Sequence, residues 1–341
     1  MTFRLTRALP PDDTAAALRA DVLHGLTRTP KTLPPKWLYD AHGSELFEQI
    51  TQLPTYPVWR AELGLLRLHA RDIGEQTKAR SLIELGSGSS SEKTRLLLDA
   101  LPGLHTYVPV DVSESALRQA GQTLLIERPA LSVHALIADF TAALTLPQTP
   151  GPRLVAFLGS TIGNLLPAER ATFLTSVRAL LAPGDALLLG TDLVKDESVL
   201  VAAYDDALTA KFDKNVLAVI NRELGADFDP DAFAHVALWD AGHEWIEMRL
   251  RSLTEQTVKI PALGLAVDFA DGEDLRTEIS AKFRVQGVRR ELAAAGLTLE
   301  HVWTSPGQGY GLALAAPSRA GTRTEHATSG STGLQAKGLP S

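Results

Sequence analysis

The sequence comprises 341 residues, of which 45% are hydrophobic and 21% charged, with a formal net charge of −7 and no cysteine. The length predicts about two domains, and the composition is typical of a globular protein with a sizeable core. The lack of cysteine excludes disulfides, thiolate metal ligands and cysteine nucleophiles. The acidic balance argues against a nucleic-acid partner, and no apolar run reaches the about 18 residues of a membrane span. Since no secretory signal or exposed helical zipper is recognisable either, we expect a cytoplasmic monomer.

The N-terminal part of the chain predicts mainly helices. Apolar residues at helical spacing indicate helices over residues 12–29 and 60–77. The stretch between them begins with a loop at 29–43 that two adjacent prolines interrupt. Ser44 is the expected N-cap of a further helix, which ends before Pro54.

Five short apolar runs then follow, and they predict the strands of a sheet. The first four are each followed by a turn and a helix-like segment, which is the pattern of strands covered by helices on both faces. This alternation predicts an α/β fold with a doubly wound parallel sheet. The five runs are residues 81–85, 106–112, 131–139, 153–159 and 185–193.

The pattern changes after residue 193. Residues 197–225 read as one long helix or two shorter ones, and "HVALWD", "EWIEMRLRS" and "QTVKIPAL" read as antiparallel strands. Residues 284–297 predict a helix, and "LTLEHVWTS" with "YGLALAA" predicts a closing hairpin. Residues 317–341 contain almost no apolar side chains, so we expect a disordered tail.

The turn after the first apolar run predicts a ligand held against backbone. Gly86, Ser87 and Gly88 follow the strand directly, and glycine there permits positive φ and close approach of a ligand. A dinucleotide fingerprint requires a third glycine where this chain has Ser91, and a Walker A loop requires a glycine before the lysine of "EKT". Both phosphate-binding interpretations are therefore weak.

Two acids at the ends of the next strands favour another cofactor. Asp111 ends the second run, where its carboxylate can bind both hydroxyls of a ribose. Asp139 ends the third run, where an adenine amino group can reach it. Together with the glycine turn they predict a site for S-adenosylmethionine (SAM). The alternative is a turn with capping acids and no ligand.

Two later phrases carry polar residues with candidate roles. "FLGSTIGNL" (157–165) follows the fourth run, so Ser160, Thr161 and Asn164 are expected to line a pocket, unless the phrase is only a turn that Asn164 caps. In "RTEISAKF" (276–283), Glu278 and Ser280 lie two residues apart, so both point to one face of an extended segment. That pair suits a ring with polar nitrogens; the alternative is a solvated strand edge. The nine histidines show no metal-binding spacing.

Several long phrases occur together in one order: "LPPKWLYDAHGSELFEQIT", "IELGSGSS", "YVPVDVSESAL", "FLGSTIGNL", "EWIEMRL" and "TEISAKF". Through them, over about residues 10–316, the chain resembles the SAM-dependent histidine Nα-methyltransferases of ergothioneine biosynthesis. The resemblance implies trimethylation of the L-histidine α-amine to hercynine. It also implies a Rossmann-like class I methyltransferase domain and a discontinuous α+β substrate-binding domain. We expect the first over 61–193 and 284–316, and the second over 8–60 and 194–283.

The resemblance also implies roles for individual residues. The implied SAM contacts, added to Ser87 and Gly88 of the turn, are Gly86, Lys93, Asp111, Asp139 and Phe140. The implied histidine contacts are Tyr56, Asn164, Tyr204, Glu278 and Ser280. The implied pocket wall is Tyr39, Phe47, Gly159, Thr161 and Met248. The segment between Gly88 and Lys93 is one residue longer than the family's usual form.

The expected chemistry needs alignment and a free amine, because an ammonium has no lone pair with which to attack a methyl group. Asn164 is the predicted orienting residue, with a water held by Tyr39. Glu278 is the predicted specificity residue. Three alternatives remain at this point: a methyltransferase for a tryptophan-like amino acid, a SAM-binding protein without activity, and an RNA or protein methyltransferase.

Overall fold

The structure is a computed structural model, and it describes residues 2–8, 11–88, 92–141 and 144–318. Within these residues the helices are α1 (Pro11–Leu26), α2 (Ala41–Thr51), α3 (Val58–Thr77), α4 (Glu92–Ala100), α5 (Glu114–Glu127), α6 (Pro167–Leu180), α7 (Glu197–Ala202), α8 (Ala207–Leu224) and α9 (Val285–Ala294). The strands are β1 (Thr2–Arg7), β2 (Lys31–Thr32), β3 (Ser81–Leu85), β4 (Thr106–Asp111), β5 (Ser132–Ile137), β6 (Arg153–Phe157), β7 (Ala186–Asp192), β8 (Phe233–Asp240), β9 (Trp245–Ser252), β10 (Gln256–Ile260), β11 (Leu265–Phe269), β12 (Asp274–Ala281), β13 (Leu297–Thr304) and β14 (Tyr310–Pro317).

The larger sheet has eight strands in the order β1-β5-β4-β3-β6-β7-β14-β13. Its central strand β3 pairs in parallel with both β4 and β6, so the chain order reverses between β3 and β6. Ligands of open α/β sheets bind at the carboxyl ends of the strands at such a switch point. Strand β14 runs antiparallel to both of its neighbours, β7 and β13. The expected Rossmann-like methyltransferase fold is confirmed, as is the closing hairpin.

The sequence expectations for this sheet were wrong at three places. Strand β1 was not predicted; it pairs in parallel with β5 at the edge of the sheet, where Phe3 and Leu5 are half-buried between exposed neighbours. The third apolar run is followed by no helix in residues 138–141 and 144–152, because three prolines of "LPQTPGP" lack the N–H that a helix needs. Pro317, assigned to the tail, ends β14, and the N–H of Ser318 donates to Gly296 O at 3.0 Å. Residues 319–341 lie outside the described residues.

The second sheet has four strands in the order β2-β12-β9-β8. It draws on residues 31–32, before the larger sheet's central strands, and on residues 233–281, after them. Helix α8 packs on it and buries Phe212, Val216 and Ile220, which are spaced for one helical face. Beside it, the separate hairpin β10–β11 includes strand β11, which was not predicted.

Helix α2 begins earlier than predicted, and its first turn packs against α8. Asp40 is the N-cap, since its side chain accepts a hydrogen bond from Gly43 N at 2.8 Å. The expectation of Ser44 as the cap is therefore wrong. The Asp40 carboxylate also accepts from the amide of Asn215 in α8 at 2.8 Å, which gives the acid a tertiary partner that the sequence pattern does not reveal.

The two sheets are joined directly beside the carboxyl end of β7. Leu193 and Phe283 form a parallel bridge, and Phe283 N donates to Asp192 O at 2.8 Å. This junction brings the end of β12 against the carboxyl ends of β6 and β7. Among the described residues, no helix has the length and apolar character needed to cross a membrane.

Candidate active site

A cavity of about 1620 Å³ opens at the carboxyl ends of the central strands, between the two sheets. Sites for single small ligands are typically about 300–1,000 Å³, so this volume suits two ligands side by side. Every residue that the sequence analysis assigned to a site lines it: Tyr39, Phe47, Tyr56, Gly86, Ser87, Gly88, Lys93, Asp111, Asp139, Phe140, Gly159, Ser160, Thr161, Asn164, Tyr204, Met248, Glu278 and Ser280. The residues fall into two groups, which we call the glycine-turn end and the β12 end.

The glycine-turn end is built by Gly86–Gly88, Asp111, Asp139 and Phe140. Gly86 and Gly88 have φ of 66° and 58°, in the left-handed region that favours glycine. Between them, Ser87 Oγ is buried and has no hydrogen-bond partner within the described part of the chain. Buried hydroxyls normally have a partner, so this one is available to a ligand. The three serines at 89–91 lie outside the described residues.

The acids of this end keep acceptor capacity toward the cavity. Asp111 accepts from Gly88 N and Ser113 N, both at 2.9 Å, so each carboxylate oxygen retains a further lone pair. Burial raises the pKa of Asp111 against the effect of these hydrogen bonds. Asp139 accepts from Thr141 N through one oxygen, and its other oxygen lies 3.9 Å from the Lys36 ammonium. The arrangement fits the ribose and adenine of SAM.

An aromatic wall completes the glycine-turn end. The Phe140 ring lies 3.4 Å from the position that a Cβ on Gly86 would take. It packs edge-to-face against Phe157 at a centroid distance of 5.3 Å. A flat ligand such as adenine can therefore lie along this wall, close to backbone that carries no side chain.

Lys93 lines the cavity and is held by a partner, Glu62, that the sequence analysis missed. Its ammonium forms an ion pair of 2.6 Å with Glu62 of α3, whose side chain is fully buried. Glu62 also accepts from Gly159 N at 2.8 Å and from the Tyr310 hydroxyl at 2.6 Å. The carboxylate therefore ties the predicted cofactor contact to the loop after β6. The sequence feature that marks Glu62 as buried is its place between Val58 and Leu66, at the i, i+4 spacing of one apolar helix face.

The β12 end is built by Asn164, Tyr204, Glu278 and Ser280. Asn164 ends a short 3-10 turn after β6, and its amide donates to Glu278 Oε1 at 2.8 Å. Its alternative role as a cap is therefore not supported. Glu278 and Ser280 lie on the same face of β12 and both are buried, as the two-residue spacing predicts.

The second carboxyl oxygen of Glu278 lacks a hydrogen-bond donor in the described part of the chain. Oε2 is buried and has no hydrogen-bond partner among the residues described. Burial raises the pKa of Glu278 to about 8; repulsion from Asp213 adds to this shift, while Lys282 and Asn164 oppose it. A buried acceptor without a donor is costly, so its persistence indicates a ligand that supplies a donor here.

Two hydroxyl groups neighbour this carboxyl, since Ser280 lies two residues further along β12 and Tyr204 contacts Ser280. The hydroxyls of Tyr204 and Ser280 are 2.8 Å apart, and the Lys282 ammonium donates to both at 2.8 Å. Lys282 also pairs with Asp192 at 3.0 Å, and its side chain is fully buried. The sequence analysis missed Lys282, although it continues the face of β12 that carries residues 278 and 280.

A second buried pair, His235 and Asp213, contacts Tyr204 and the residue that precedes Glu278. His235 on β8 faces Asp213 at 2.7 Å through Nδ1 and faces the carbonyl oxygen of Tyr204 at 2.9 Å through Nε2. Both contacts require a ring N–H, so His235 is an imidazolium. Burial lowers its pKa, but the hydrogen bond and charge of Asp213 outweigh this and the pKa is raised. Asp213 also accepts from Thr277, the residue before Glu278.

Aromatic rings and one methionine close the β12 end. The rings of Tyr39, Phe47, Tyr56 and Phe212 contact one another edge-on or tilted, and Tyr56 contacts Tyr204 at a centroid distance of 6.0 Å. Burial raises the pKa values of Tyr39 and Tyr56 well above their usual range, so both remain neutral phenols. Met248 on β9 pairs with Glu278 in the sheet register and is buried.

Comparisons with known proteins identify the family of the chain. A family model described as "Histidine-specific methyltransferase, SAM-dependent" matches residues 18–317. The histidine N-alpha-methyltransferase of Mycolicibacterium smegmatis is 53% identical over 320 residues, 92% of this chain and 99% of that protein. The same-named protein of Mycobacterium tuberculosis is 51% identical, over 93% and 100%. The L-tryptophan methyltransferase of Psilocybe serbica is 28% identical, over 84% and 89%. The chain therefore belongs to the histidine-specific, SAM-dependent methyltransferase family.

Proposed function

We propose that this enzyme transfers three methyl groups from SAM to the α-amino group of L-histidine and releases hercynine. The observation that carries the substrate assignment is the buried, unpartnered Glu278 Oε2, together with the hydroxyl pair of Tyr204 and Ser280 in the same cavity. An imidazole has one N–H and one bare nitrogen, so it offers a donor to the carboxyl and an acceptor to the hydroxyls.

Bound SAM supplies a methyl carbon on a positively charged sulfur, which a neutral amine can displace. The residues that hold it are those of the glycine-turn end, with Lys93. The unpartnered hydroxyl of Ser87 and the open backbone of Gly86 and Gly88 receive its polar groups. Asp111 accepts from the ribose hydroxyls and Asp139 from the adenine amino group, while Phe140 packs along the adenine ring.

The β12 end orients the amino acid. Glu278 and Ser280 hold the imidazole, and Tyr56 covers the ring. Asn164 binds the carboxylate, Tyr204 supports Ser280 through their hydroxyl contact, and Phe47, Gly159, Thr161 and Met248 form the wall. A pocket that pairs polar ring atoms rejects analogues that leave its groups unpaired, by up to about 10⁴-fold.

The amine must lose a proton before each transfer, because only the lone pair can form the new N–C bond. Asn164 accepts an N–H of the amine through its amide oxygen and so directs the lone pair toward the methyl carbon. Tyr39, within hydrogen-bonding reach of Asn164, holds the water that takes the proton. The buried aromatic rings exclude bulk water and contact the growing methylammonium through their faces.

The wider proposal is a monomer that acts in the cytoplasm on a free amino acid, with no nucleic-acid or membrane partner. It rests on the net charge of −7 and on a chain without a basic block. The division into a methyltransferase domain and a discontinuous substrate domain also stays a proposal, supported by the second sheet's use of residues 31–32 and 233–281.

A tryptophan-like substrate is the competing proposal, and the relative from Psilocybe serbica is its main support. An indole offers one donor and no acceptor, so it would satisfy Glu278 and leave the neighbouring hydroxyl without a partner. The paired groups favour histidine for this reason.

The test is incubation of the purified protein with SAM and an equimolar mixture of the twenty amino acids, followed by mass spectrometry over time. We expect a product at the mass of histidine plus three methyl groups and no other modified amino acid. Methylation of tryptophan instead would contradict the substrate assignment. Accumulation of monomethyl or dimethyl histidine alone would contradict the assignment of three transfers.

A further inference from the structure

Lys282 is a buried charged group beside the β12 end to which the proposed function gives no role. Its ammonium is fully buried and pairs with Asp192, whose other oxygen is held by Lys195. Burial of a charge is expensive even when it is paired, and an apolar side chain of similar volume is often as stable. Stabilisation of the contact between β7 and β12 by this ion pair is therefore a weak explanation for a buried lysine at position 282.

The hydrogen-bond count shows what Lys282 does to its neighbours. An ammonium has three N–H donors and no acceptor. Two of them go to the hydroxyl oxygens of Tyr204 and Ser280 at 2.8 Å each, and the ammonium also forms an ion pair of 3.0 Å with Asp192. Neither hydroxyl can therefore donate its own proton to residue 282.

Two hydroxyl protons then remain for two hydroxyl groups. One is used in the bond of 2.8 Å between Tyr204 and Ser280. Tyr56 hydrogen-bonds to Tyr204 and adds one hydroxyl proton and one bond, so one proton still has no acceptor among these three hydroxyls. All three residues line the cavity, so this proton is available to a ligand there.

We infer that Lys282 is a positioning residue that forces the Tyr204–Ser280 pair to donate one hydrogen bond into the cavity, so that the site selects a ring with a bare nitrogen. This inference rests on the proposed function. Glu278 then receives the ring N–H and the hydroxyl pair contacts the unprotonated nitrogen. The polarity of the site thereby fixes one neutral tautomer of the imidazole and its orientation.

The direct test replaces Lys282 by glutamine. The Lys282→Gln side chain keeps an amide donor but adds an acceptor, so the hydroxyl proton can turn inward. We expect the KM for histidine to rise about tenfold, as for one lost hydrogen bond to a polar ligand group, while kcat changes less and the Kd for SAM stays within twofold. Lys195→Gln removes the other, half-buried lysine on Asp192 and is expected to leave all three values within twofold.

A double-mutant cycle separates positioning from general damage. If Lys282 acts through the hydroxyl pair, Lys282→Gln adds less than about threefold to the KM of a Ser280→Ala protein. Multiplicative effects of the two substitutions, or a parallel loss of SAM binding, would show a structural role and overturn the inference. An unchanged histidine KM in Lys282→Gln would overturn it as well.

A measurement on the unaltered protein covers the case in which the variant does not fold. The two pyrrolylalanines each keep one ring N–H and replace the other nitrogen by C–H. Both are expected to bind at least about tenfold more weakly than histidine, since the outward hydroxyl proton loses its acceptor. Equal binding would overturn the inference. Failure of the unaltered protein to methylate histidine would instead refute the proposed function.

Discussion

The two ends of the cavity solve the problem of holding a polar ligand in different ways. The glycine-turn end uses backbone and half-buried acids, and its groups come from turns that directly follow β3, β4 and β5. The β12 end uses buried and half-buried charged and polar side chains from β7, α8, β8, β12 and the turn after β6, and these are held by partners far away in sequence. The first arrangement suits a cofactor that many proteins share. The second costs more to build but excludes ligands that leave its groups unpaired.

The largest expected effect is at the β12 end. Glu278→Ala is predicted to lower kcat/KM for histidine by about 10³–10⁴-fold, because the ring N–H loses its acceptor and the β12 end no longer distinguishes the two ring nitrogens. Steady-state kinetics at saturating SAM measure this. Glu255→Ala, at an exposed glutamate after β9, is the matched control and should have no effect. A kcat/KM for Glu278→Ala within twofold of the unaltered enzyme would contradict the assignment.

The corresponding change at the glycine-turn end is Asp111→Ala. It removes the acceptors for the ribose and the contact that holds Gly88 N at 2.9 Å. We expect the Kd for SAM to rise about 10–100-fold, as for one or two lost charge-assisted hydrogen bonds. Isothermal titration of SAM measures the change. A higher KM for histidine at saturating SAM, with an unchanged Kd for SAM, would show that Asp111 acts on the β12 end and would contradict this assignment.

The pH dependence of substrate use sharpens the comparison, because the β12 end contains a carboxyl with a pKa raised to about 8. Below that pH the free enzyme holds Glu278 protonated, and the Oε2 proton occupies the place of the ring N–H. The ratio of kcat/KM for the unaltered enzyme to that for Glu278→Gln should therefore rise through about pH 8. Titration of free histidine cancels in this ratio. A ratio that is flat between pH 6 and 9 would contradict the role of the ionised carboxyl.

The same group should cost stability in the absence of ligand. Its pKa is 4.5 when unfolded and about 8 when folded, so the folded state retains the proton longer. The free energy of unfolding therefore falls as pH rises between these values, and the full penalty is present above pH 8. We expect ligand-free Glu278→Gln to have a Tm about 5–10 °C above that of the unaltered protein at pH 9, and no difference at pH 4. A higher Tm at both pH values would point to packing instead of charge.

The smallest effect concerns the backbone of the glycine turn. Gly86→Ala places a Cβ at a φ of 66° and 3.4 Å from Phe140, so we expect a loss of about 1–2 kcal/mol in the free energy of unfolding. Gly64→Ala is the control, because it lies in α3 with no atom within 4 Å of the added Cβ. It should stabilise the protein by about 0.5–1 kcal/mol. Chemical denaturation measures both, and a neutral Gly86→Ala would show that the turn tolerates a side chain.

The sequence allowed prediction of local features because each depends on a few adjacent residues. The central strands, the glycine turn and the shared face of Glu278 and Ser280 follow from short-range patterns that the fold keeps. Edge strand β1 was missed because its partner β5 lies far along the chain. The Asp40 cap of α2 is a local signal, since its partner Gly43 lies three residues on, and the prediction assigned the cap to Ser44 instead.

The site showed the same limit. Glu62, Asp213 and Lys282 are single charged residues on apolar or buried faces, and their hydrogen-bond partners come from other elements. A helical or alternating pattern can mark such a residue as buried, as it does for Glu62. The pattern does not show which group neutralises the charge, so the partners of these residues around the substrate pocket could be identified only from the structure.

The central claim is that the two ends bind their ligands independently, and a crossed binding measurement tests it most directly. Calorimetric titrations with SAM, and with histidine in the presence of S-adenosylhomocysteine, would be run on Glu278→Ala and Asp111→Ala. The prediction is that Glu278→Ala loses histidine binding and keeps the Kd for SAM within twofold. Asp111→Ala should lose affinity for SAM and, once saturated with S-adenosylhomocysteine, bind histidine normally. Loss of both ligands in either variant, or unchanged histidine binding in Glu278→Ala, would contradict the account.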